Sequence, residues 1–252
     1  MNKIKKPLLF ALCLLPIALL GGIFASLHQL DILSPAMIEQ LLAELGSREL
    51  LIVIGALQAA GYALFCGFFG HILADQVGLW RQIRIERKSF LFILAISTLG
   101  GIVFSLDHWM FGSFIDGIQA TNEASLTLNG VLASLLYGGI LEEVMMRLFF
   151  MSLIAFVLWK LFFRKYEREA IPTCVFVIAN LTAAILFAAG HLPATLSLFG
   201  ELTPLLLVRC FLLNGGFALL FGWLFRKYGI VYAIISHATF HIVSKLIWIL
   251  FI

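Results

Sequence analysis

The stretch LLIVIGALQAAGYALFCGFFGHIL, residues 50–73, contains no Asp, Glu, Lys or Arg. A helix needs about 20 apolar residues to cross a bilayer. Lipid offers the backbone no hydrogen-bond partners, so such a stretch is expected to be helical. The strand-like alternation of a membrane barrel is absent. Six further runs are long and predominantly apolar, although some contain isolated charged residues: 7–27, 90–111, 126–163, 171–191, 204–225 and 230–252. The sequence therefore predicts an all-α, polytopic transmembrane helix bundle of about seven spans.

The composition of the whole chain agrees with this fold class. Of 252 residues, 62% are hydrophobic and 12% are charged, against about 45–50% and about 25% in soluble domains. The length suits one membrane domain over residues 1–252. We therefore expect a multi-pass protein of the cell membrane, with membrane lipids as its surroundings. The net charge of +3 suits basic loops against anionic lipid and does not indicate a nucleic-acid partner.

The distribution of Lys and Arg predicts the orientation, because cytoplasmic loops of membrane proteins are enriched in them. With the N-terminus inside, the inner segments hold twelve of the seventeen basic residues and the outer loops hold only Arg48. The twelve are Lys3, Lys5, Lys6, Arg81, Arg84, Arg87, Lys88, Arg164, Lys165, Arg168, Arg226 and Lys227. Residues 34–49, SPAMIEQLLAELGSRE, are expected to form a short amphipathic helix on the outer surface.

Ionisable residues inside spans indicate function by default, because burying a charge in a membrane is costly. Three basic residues lie near span ends and are expected to extend to the interface: Lys160, Arg209 and Lys245. Asp107 and His108 lie at the outer end of their span, where we expect contact with water.

The run GGILEEVMMRLFF, residues 138–150, places two carboxylates and a guanidinium in an apolar span. Glu143 and Arg147 are four residues apart, so they share a helix face and can pair. Glu142 is rotated by about 100° from Glu143 and is left without this partner, which suits a general base. The alternative is an ion pair that merely holds two helices together.

Three histidines complete the set of polar candidates. His191 ends the stretch LFAAGHLP and, taken alone, would be a helix-end histidine. His237 and His241, in SHATFH, share one helix face and can bind a metal or donate two hydrogen bonds. The zinc-protease pattern HExxH is missing because Ala238 stands where its glutamate would be, so the metal signal is weak.

Three motifs in order resemble one family. EEVMMR (142–147) reads as EExxxR, FAAGH (187–191) as FxxxH, and HATFH (237–241) as HxxxN/D with a departure. Over about residues 126–245 the chain resembles the CPBP family of CAAX-type prenyl endoproteases, bacteriocin-processing and immunity proteases, also called Abi proteins. The resemblance implies an intramembrane endopeptidase. Its substrate would be a membrane-bound or membrane-inserting peptide, such as a bacteriocin leader, a peptide pheromone precursor or a protein tail.

The resemblance also implies roles for the motif residues. Glu142 would activate a water for attack on the scissile amide, while Glu143 and Arg147 would organise the site. His191 would position that water or bind a metal.

His237 would stabilise the oxyanion, usually together with an Asn or Asp four residues later. His241 stands at that place. A histidine can donate a hydrogen bond as asparagine does, and it is also a better metal ligand. The departure therefore leaves a glutamate protease and a zinc metalloprotease open, with His191, His237 and His241 as candidate zinc ligands.

One geometric difficulty accompanies this hypothesis. Counted at about 1.5 Å per residue, the predicted spans separate the depths of the motif residues by roughly 20 Å. The fourth segment, 126–163, is also too long for a hydrocarbon core of about 30 Å, so it is expected to tilt, protrude or break.

Two other functions stay open at this point. The fold can serve a non-catalytic membrane scaffold or immunity protein, although the complete set of motif residues does not favour this. Glu and His inside spans also occur in proton-coupled transporters and channels. The absence of an internal repeat and of a second carboxylate-bearing helix weakens that alternative.

Overall fold

The structure of the chain is a computed structural model that describes residues 4–82 and 84–252. Lys3 lies outside the described residues, so its contribution to the basic loops stays a prediction. The described residues are helical with no strand. Within these described ranges, seven helices are long and apolar enough to cross a membrane, which confirms the predicted fold class of a multi-pass membrane protein. We number them spans 1 to 7: Lys5–Ile32, Arg48–Gln76, Arg87–Met110, Leu128–Phe162, Thr173–Phe199, Pro204–Tyr228 and Ile230–Phe251.

Three short elements lie between spans. The helix predicted at 34–49 is confirmed as Pro35–Leu45, where the Ser34 hydroxyl accepts a hydrogen bond from the Met37 N–H and caps the first turn. A second short helix, Ile118–Ala124, connects spans 3 and 4, and a single 3₁₀ turn, Arg168–Ala170, connects spans 4 and 5.

Span 4 changes its helical geometry in the middle. It begins as an α-helix at Leu128–Ala133, is π-helical over Ser134–Glu142 and Val144–Met151, and ends as an α-helix at Ser152–Phe162. Its 35 residues are more than a straight crossing needs. The π-helical part is the most enclosed section of the bundle: Val144, Leu148 and Met151 are fully buried.

Span 5 is longer than predicted. The expected end at residue 191 is wrong, because helix Thr173–Gly190 bends at His191 and continues as Leu192–Phe199. Pro193 stands at the start of this second segment, where its ring fits the first turn of a helix. His191 therefore lies at a break inside a span.

Contacts between loops define two ends of the bundle. At the first end, the Arg81 side chain donates to the Arg226 carbonyl, and the Glu86 N–H donates to the Tyr232 hydroxyl. This end carries the described members of the basic set and is called the basic end. At the opposite end, the Thr127 hydroxyl and the Asn129 amide donate to the Asp31 carboxylate.

Small residues let spans 1 and 2 approach closely. A Cβ on Gly22 would overlap the Gly55 carbonyl oxygen and lie 2.8 Å from the Ala59 Cβ. The Ser26 hydroxyl, which donates to the Gly22 carbonyl at 3.0 Å, fills the space beside Gly55. Such close contact replaces the hydrophobic effect as the source of helix association in lipid.

The expectations for the charged residues near span ends need correction. Asp107 is buried and is not wet, because Arg209 donates two hydrogen bonds to its carboxylate at 2.7 and 2.6 Å. Arg209 therefore pairs within the bundle and does not extend to the interface. Lys245 is also buried, with its ammonium donating to the Ser125 carbonyl at 2.7 Å. Of the three basic residues, Lys160 is exposed as expected, with its ammonium over the Trp159 ring.

His108, the neighbour of Asp107, is likewise buried and not wet. Its ring packs edge-on against Trp109, with the two centroids 5.1 Å apart. Tertiary packing at this end of the bundle thus encloses residues that the span ends alone would leave in water.

Candidate active site

One cavity of about 340 Å³ inside the bundle brings the predicted site residues together. Glu142 from span 4, His191 from the break in span 5, and His237 and His241 from span 7 all line it. Glu143 and Arg147 lie directly behind this wall, buried. All six predicted residues therefore belong to one local arrangement, although they come from three helices.

The shared cavity removes the depth difficulty. Spans 4 and 7 end within two residues of the predicted ends, so the difficulty came from counting along them from the basic end. Measured from the opposite end, Glu142 is 14 residues from Leu128 and His237 is 14 residues from Phe251, or about 21 Å each. His191 is 8 residues from Phe199, or about 12 Å, because the extension of span 5 places it in the interior of its span.

The π-helical turn positions Glu142. In a helix whose hydrogen bonds join residues five apart, Tyr137 and Glu142 lie above one another, and both line the cavity. Glu142 is only partly buried, while its neighbour Glu143 is fully buried. Across residues 4–82 and 84–252 no basic side chain lies within ion-pair distance of the Glu142 carboxylate. The two adjacent carboxylates thus have different environments.

Glu143 links spans 4 and 7. Its Oε1 lies 3.2 Å from Arg147 Nη1 and 2.8 Å from His237 Nδ1. The predicted Glu143–Arg147 pair is therefore confirmed, as a charge contact without hydrogen-bond alignment. Arg147 also donates from Nη2 to the Ala218 carbonyl on span 6, at 3.3 Å. A single buried carboxylate holds both an arginine and a cavity histidine in place.

Aromatic rings enclose these charges. The Arg147 guanidinium carbon lies 4.8 Å from the Phe187 ring centre and 5.4 Å from that of Phe221, within cation–π range. The Phe221 ring also stacks on His237 at 4.5 Å, and His237 stacks on His241 at 4.9 Å. The histidine rings are thereby held in fixed planes along the cavity wall.

His191 is oriented by its own helix. Its Nδ1 lies 2.8 Å from the Phe187 carbonyl oxygen, and its ring packs edge-on against the Phe187 ring at 4.6 Å. A carbonyl only accepts hydrogen bonds, so Nδ1 carries the proton. In the neutral ring Nε2 is then an acceptor.

The three motifs and their shared cavity can now be compared with known proteins. Residues 123–243 match the family model described as type II CAAX prenyl endopeptidase Rce1-like. This part of the chain is similar to that family. The match confirms the resemblance predicted from the motifs, and it contains all six predicted site residues. It suggests a membrane endopeptidase of the CAAX type. No curated protein and no solved structure matches the chain significantly.

The three candidate zinc ligands do not form a metal-binding group. In the part of the chain that the structure describes, no three His, Cys, Asp or Glu side chains are grouped as a metal site. His191, His237 and His241 share the cavity, but they do not converge on one point in this arrangement. The residues present therefore do not fit a zinc ion, and no catalytic step below depends on one.

Several lining residues were missed from the sequence. Tyr137 and Asn214 place polar groups in the cavity, and His28 reaches it from span 1, outside the Rce1-like region. Tyr137 lies five residues before Glu142, a spacing that matters only once a π-helix is known. Nothing in the sequence marks Asn214 or His28, because their contact with the cavity depends on how spans 1 and 6 pack.

Proposed function

We propose that the chain is an intramembrane endopeptidase that hydrolyses a peptide bond in a membrane-associated peptide or protein, with Glu142 as the general base. One observation supports this most strongly. Among the described residues the Glu142 carboxylate has no basic partner, and it faces a cavity that the three motif histidines also line. The adjacent carboxylate is committed to Arg147 and His237. A helix-pinning role would need only the second carboxylate.

The proposed reaction uses groups that the cavity already contains. Glu142 accepts a proton from water while the water oxygen attacks the scissile carbonyl carbon. The His191 Nε2, an acceptor in the neutral ring, holds the second water hydrogen and orients the attack. The tetrahedral intermediate then collapses, the C–N bond breaks, and Glu142 passes its proton to the departing amine.

The buried pair would organise this chemistry without touching the substrate. Glu143 fixes the His237 ring through the 2.8 Å contact to Nδ1, and Arg147 balances the charge of Glu143 in a site where an isolated charge is costly. The carried-over role of His237 and His241, stabilising the oxyanion, stays a proposal. Since the described side chains do not form a zinc site, we favour the glutamate mechanism over the metalloprotease.

The charge distribution supports an orientation for the site. We propose that the basic end faces the cytoplasm, which places the N-terminus inside. The cavity also reaches Ala25 and His28, close to the end of span 1 at Ile32, so it lies nearer the opposite end. A bacteriocin leader, a pheromone precursor or a protein tail would then be cleaved on the non-cytoplasmic side. Residues 126–245 would form the catalytic core of a single membrane domain, 1–252.

Terminal profiling of membrane proteins tests the proposal. Cells expressing wild type, Glu142→Gln or Glu123→Gln are compared by N-terminal peptide profiling of their membranes. Glu123 is an exposed carboxylate on the short helix Ile118–Ala124 and serves as the matched control. New termini with wild type and Glu123→Gln, but not with Glu142→Gln, are expected, and they also name the substrate.

The contrary result is equally specific. If all three profiles are identical while the Glu142→Gln protein is folded and abundant, the chain is not an endopeptidase of this kind. A non-catalytic membrane scaffold of the same fold would then be the better explanation, with no chemistry at Glu142.

A further inference from the structure

Amide hydrolysis places negative charge on the former carbonyl oxygen, so an endopeptidase needs hydrogen-bond donors aimed at that oxygen. This inference rests on the proposed endopeptidase function and concerns the side chain that supplies these hydrogen-bond donors. The polar groups of the catalytic cavity are Glu142, Ser134, Tyr137, Asn214 and four histidines, three of which belong to the motifs. The Ser134 hydroxyl donates to the Gly130 carbonyl. Glu142 is the base and accepts.

Two of the motif histidines present acceptors to the cavity. The His191 Nδ1 proton is used by the Phe187 carbonyl. The His237 Nδ1 faces Glu143 Oε1 at 2.8 Å, and a carboxylate beside the Arg147 guanidinium accepts, so Nδ1 donates. A neutral histidine carries one ring proton. In the neutral form each ring therefore presents Nε2 to the cavity as an acceptor, and its one N–H proton is committed to Phe187 or to Glu143.

Asn214 has a donor to spare. It lies in the π-helical turn Phe211–Gly215 of span 6. Its Nδ2 donates to the Cys210 Sγ at 3.5 Å, a weak acceptor. A carboxamide carries two N–H donors, so the second hydrogen is free for a ligand in the cavity.

The position of Asn214 matches the place where a scissile bond must lie. A second cavity of about 210 Å³ adjoins the catalytic one and extends past Thr195 and Leu198. Four residues line both cavities, and only His191 and Asn214 among them are polar. A peptide that occupies both cavities passes these two side chains. His191 is assigned to the attacking water, so Asn214 is the one of these two side chains that is available to the carbonyl oxygen.

We propose that the Asn214 carboxamide is an oxyanion donor of this enzyme. Asn214 is thus a catalytic residue that contacts the reacting carbonyl oxygen from span 6. It acts beside the span 7 histidines, of which His241 packs against His237 and Phe104.

The test measures kcat and KM on a synthetic peptide that spans the junction found by terminal profiling. Asn214→Leu removes both donors at similar size, and Asn214→Asp keeps the shape while replacing the amide with a carboxylate. Loss of one oxyanion donor costs about 10²–10³-fold in kcat. We expect this loss in both variants, with KM and the apparent Tm near the wild-type values.

One matched control separates oxyanion donation from a general effect on packing. Asn180→Leu removes an asparagine that donates to the Leu219 carbonyl outside the cavity, and it is expected to retain kcat within a few-fold. Tyr137→Phe removes the hydroxyl of another polar side chain in the cavity wall and tests it as the rival donor.

Two results would overturn the assignment. Either folded Asn214→Leu and Asn214→Asp keep kcat within a few-fold of wild type, or Tyr137→Phe carries the loss and the Asn214 variants do not. If wild type cleaves no peptide and produces no new termini, the endopeptidase proposal itself fails and takes this assignment with it.

Discussion

The buried pair of Glu143 and Arg147 gives the sharpest stability prediction. Their side chains are 0% and 2% exposed, and Nη1 lies 3.2 Å from Oε1. Arg147→Met keeps a long, flexible side chain between the Phe187 and Phe221 rings but leaves the Glu143 carboxylate without its cation. Breaking one partner of a buried pair costs about 3–5 kcal/mol.

The expected size can be converted to a melting shift. For a domain of 150–250 residues, 1 kcal/mol corresponds to about 2–4 °C in Tm. Arg147→Met should therefore lower the apparent Tm of the purified protein by roughly 6–20 °C. Replacing both partners by neutral groups removes the uncompensated charge, so Glu143→Gln combined with Arg147→Met should be more stable than Arg147→Met alone.

The assay is thermal unfolding of the four proteins of this double-mutant cycle in one detergent. A positive coupling of 1 kcal/mol or more is expected, within the range of about 0.5–3 kcal/mol for contacting residues. If the two substitutions are additive, or if Arg147→Met melts within about 2 °C of wild type, the pair does not balance a buried charge. The account of Glu143 as an organising residue would then be wrong.

Two further predictions concern packing away from the cavity. Gly22→Ala should destabilise the protein by about 1–3 kcal/mol in thermal unfolding, because its Cβ would overlap the Gly55 carbonyl oxygen. Gly61→Ala, with no atom within 4 Å of the added Cβ, should be neutral or stabilising; equal effects would contradict the tight contact of spans 1 and 2. Arg209→Met should lower the apparent Tm more than Asp107→Asn. The first substitution leaves a carboxylate that is 0% exposed without its cation, whereas the second leaves a guanidinium that is 18% exposed to solvent. The reverse order would show that solvation does not govern this pair.

The charged residues show where prediction from sequence succeeded and failed. The Glu143–Arg147 pair was predictable because both partners lie on one helix at a spacing of four. The Asp107–Arg209 pair was not, because its partners are 102 residues apart and each alone resembles a span-end charge. Local spacing carries information about contacts within a helix and none about contacts between helices.

The arrangement of the site follows the same division. The motifs identified Glu142, His191, His237 and His241 as candidates, yet counting along the predicted spans placed them at different depths. The bend at His191 and the π-helical turn before Glu142 bring them to one cavity, and both depend on how the helices pack. Asn214 enters the site for the same reason and has no signal in the sequence.

The sequence by itself determined the fold class, because apolar runs of about 20 residues have no stable structure in a bilayer other than a helix. It also determined which carboxylate pairs locally and which family the motifs resemble. The tertiary structure alone decided that Asp107 and Lys245 are buried, that Arg209 pairs with Asp107, that the histidines present particular ring atoms to the cavity, and that span 6 places an amide there. In lipid every span is helical, but close packing and buried hydrogen bonds determine which residues of neighbouring spans face one another. These contacts form only when segments that are distant in the sequence meet.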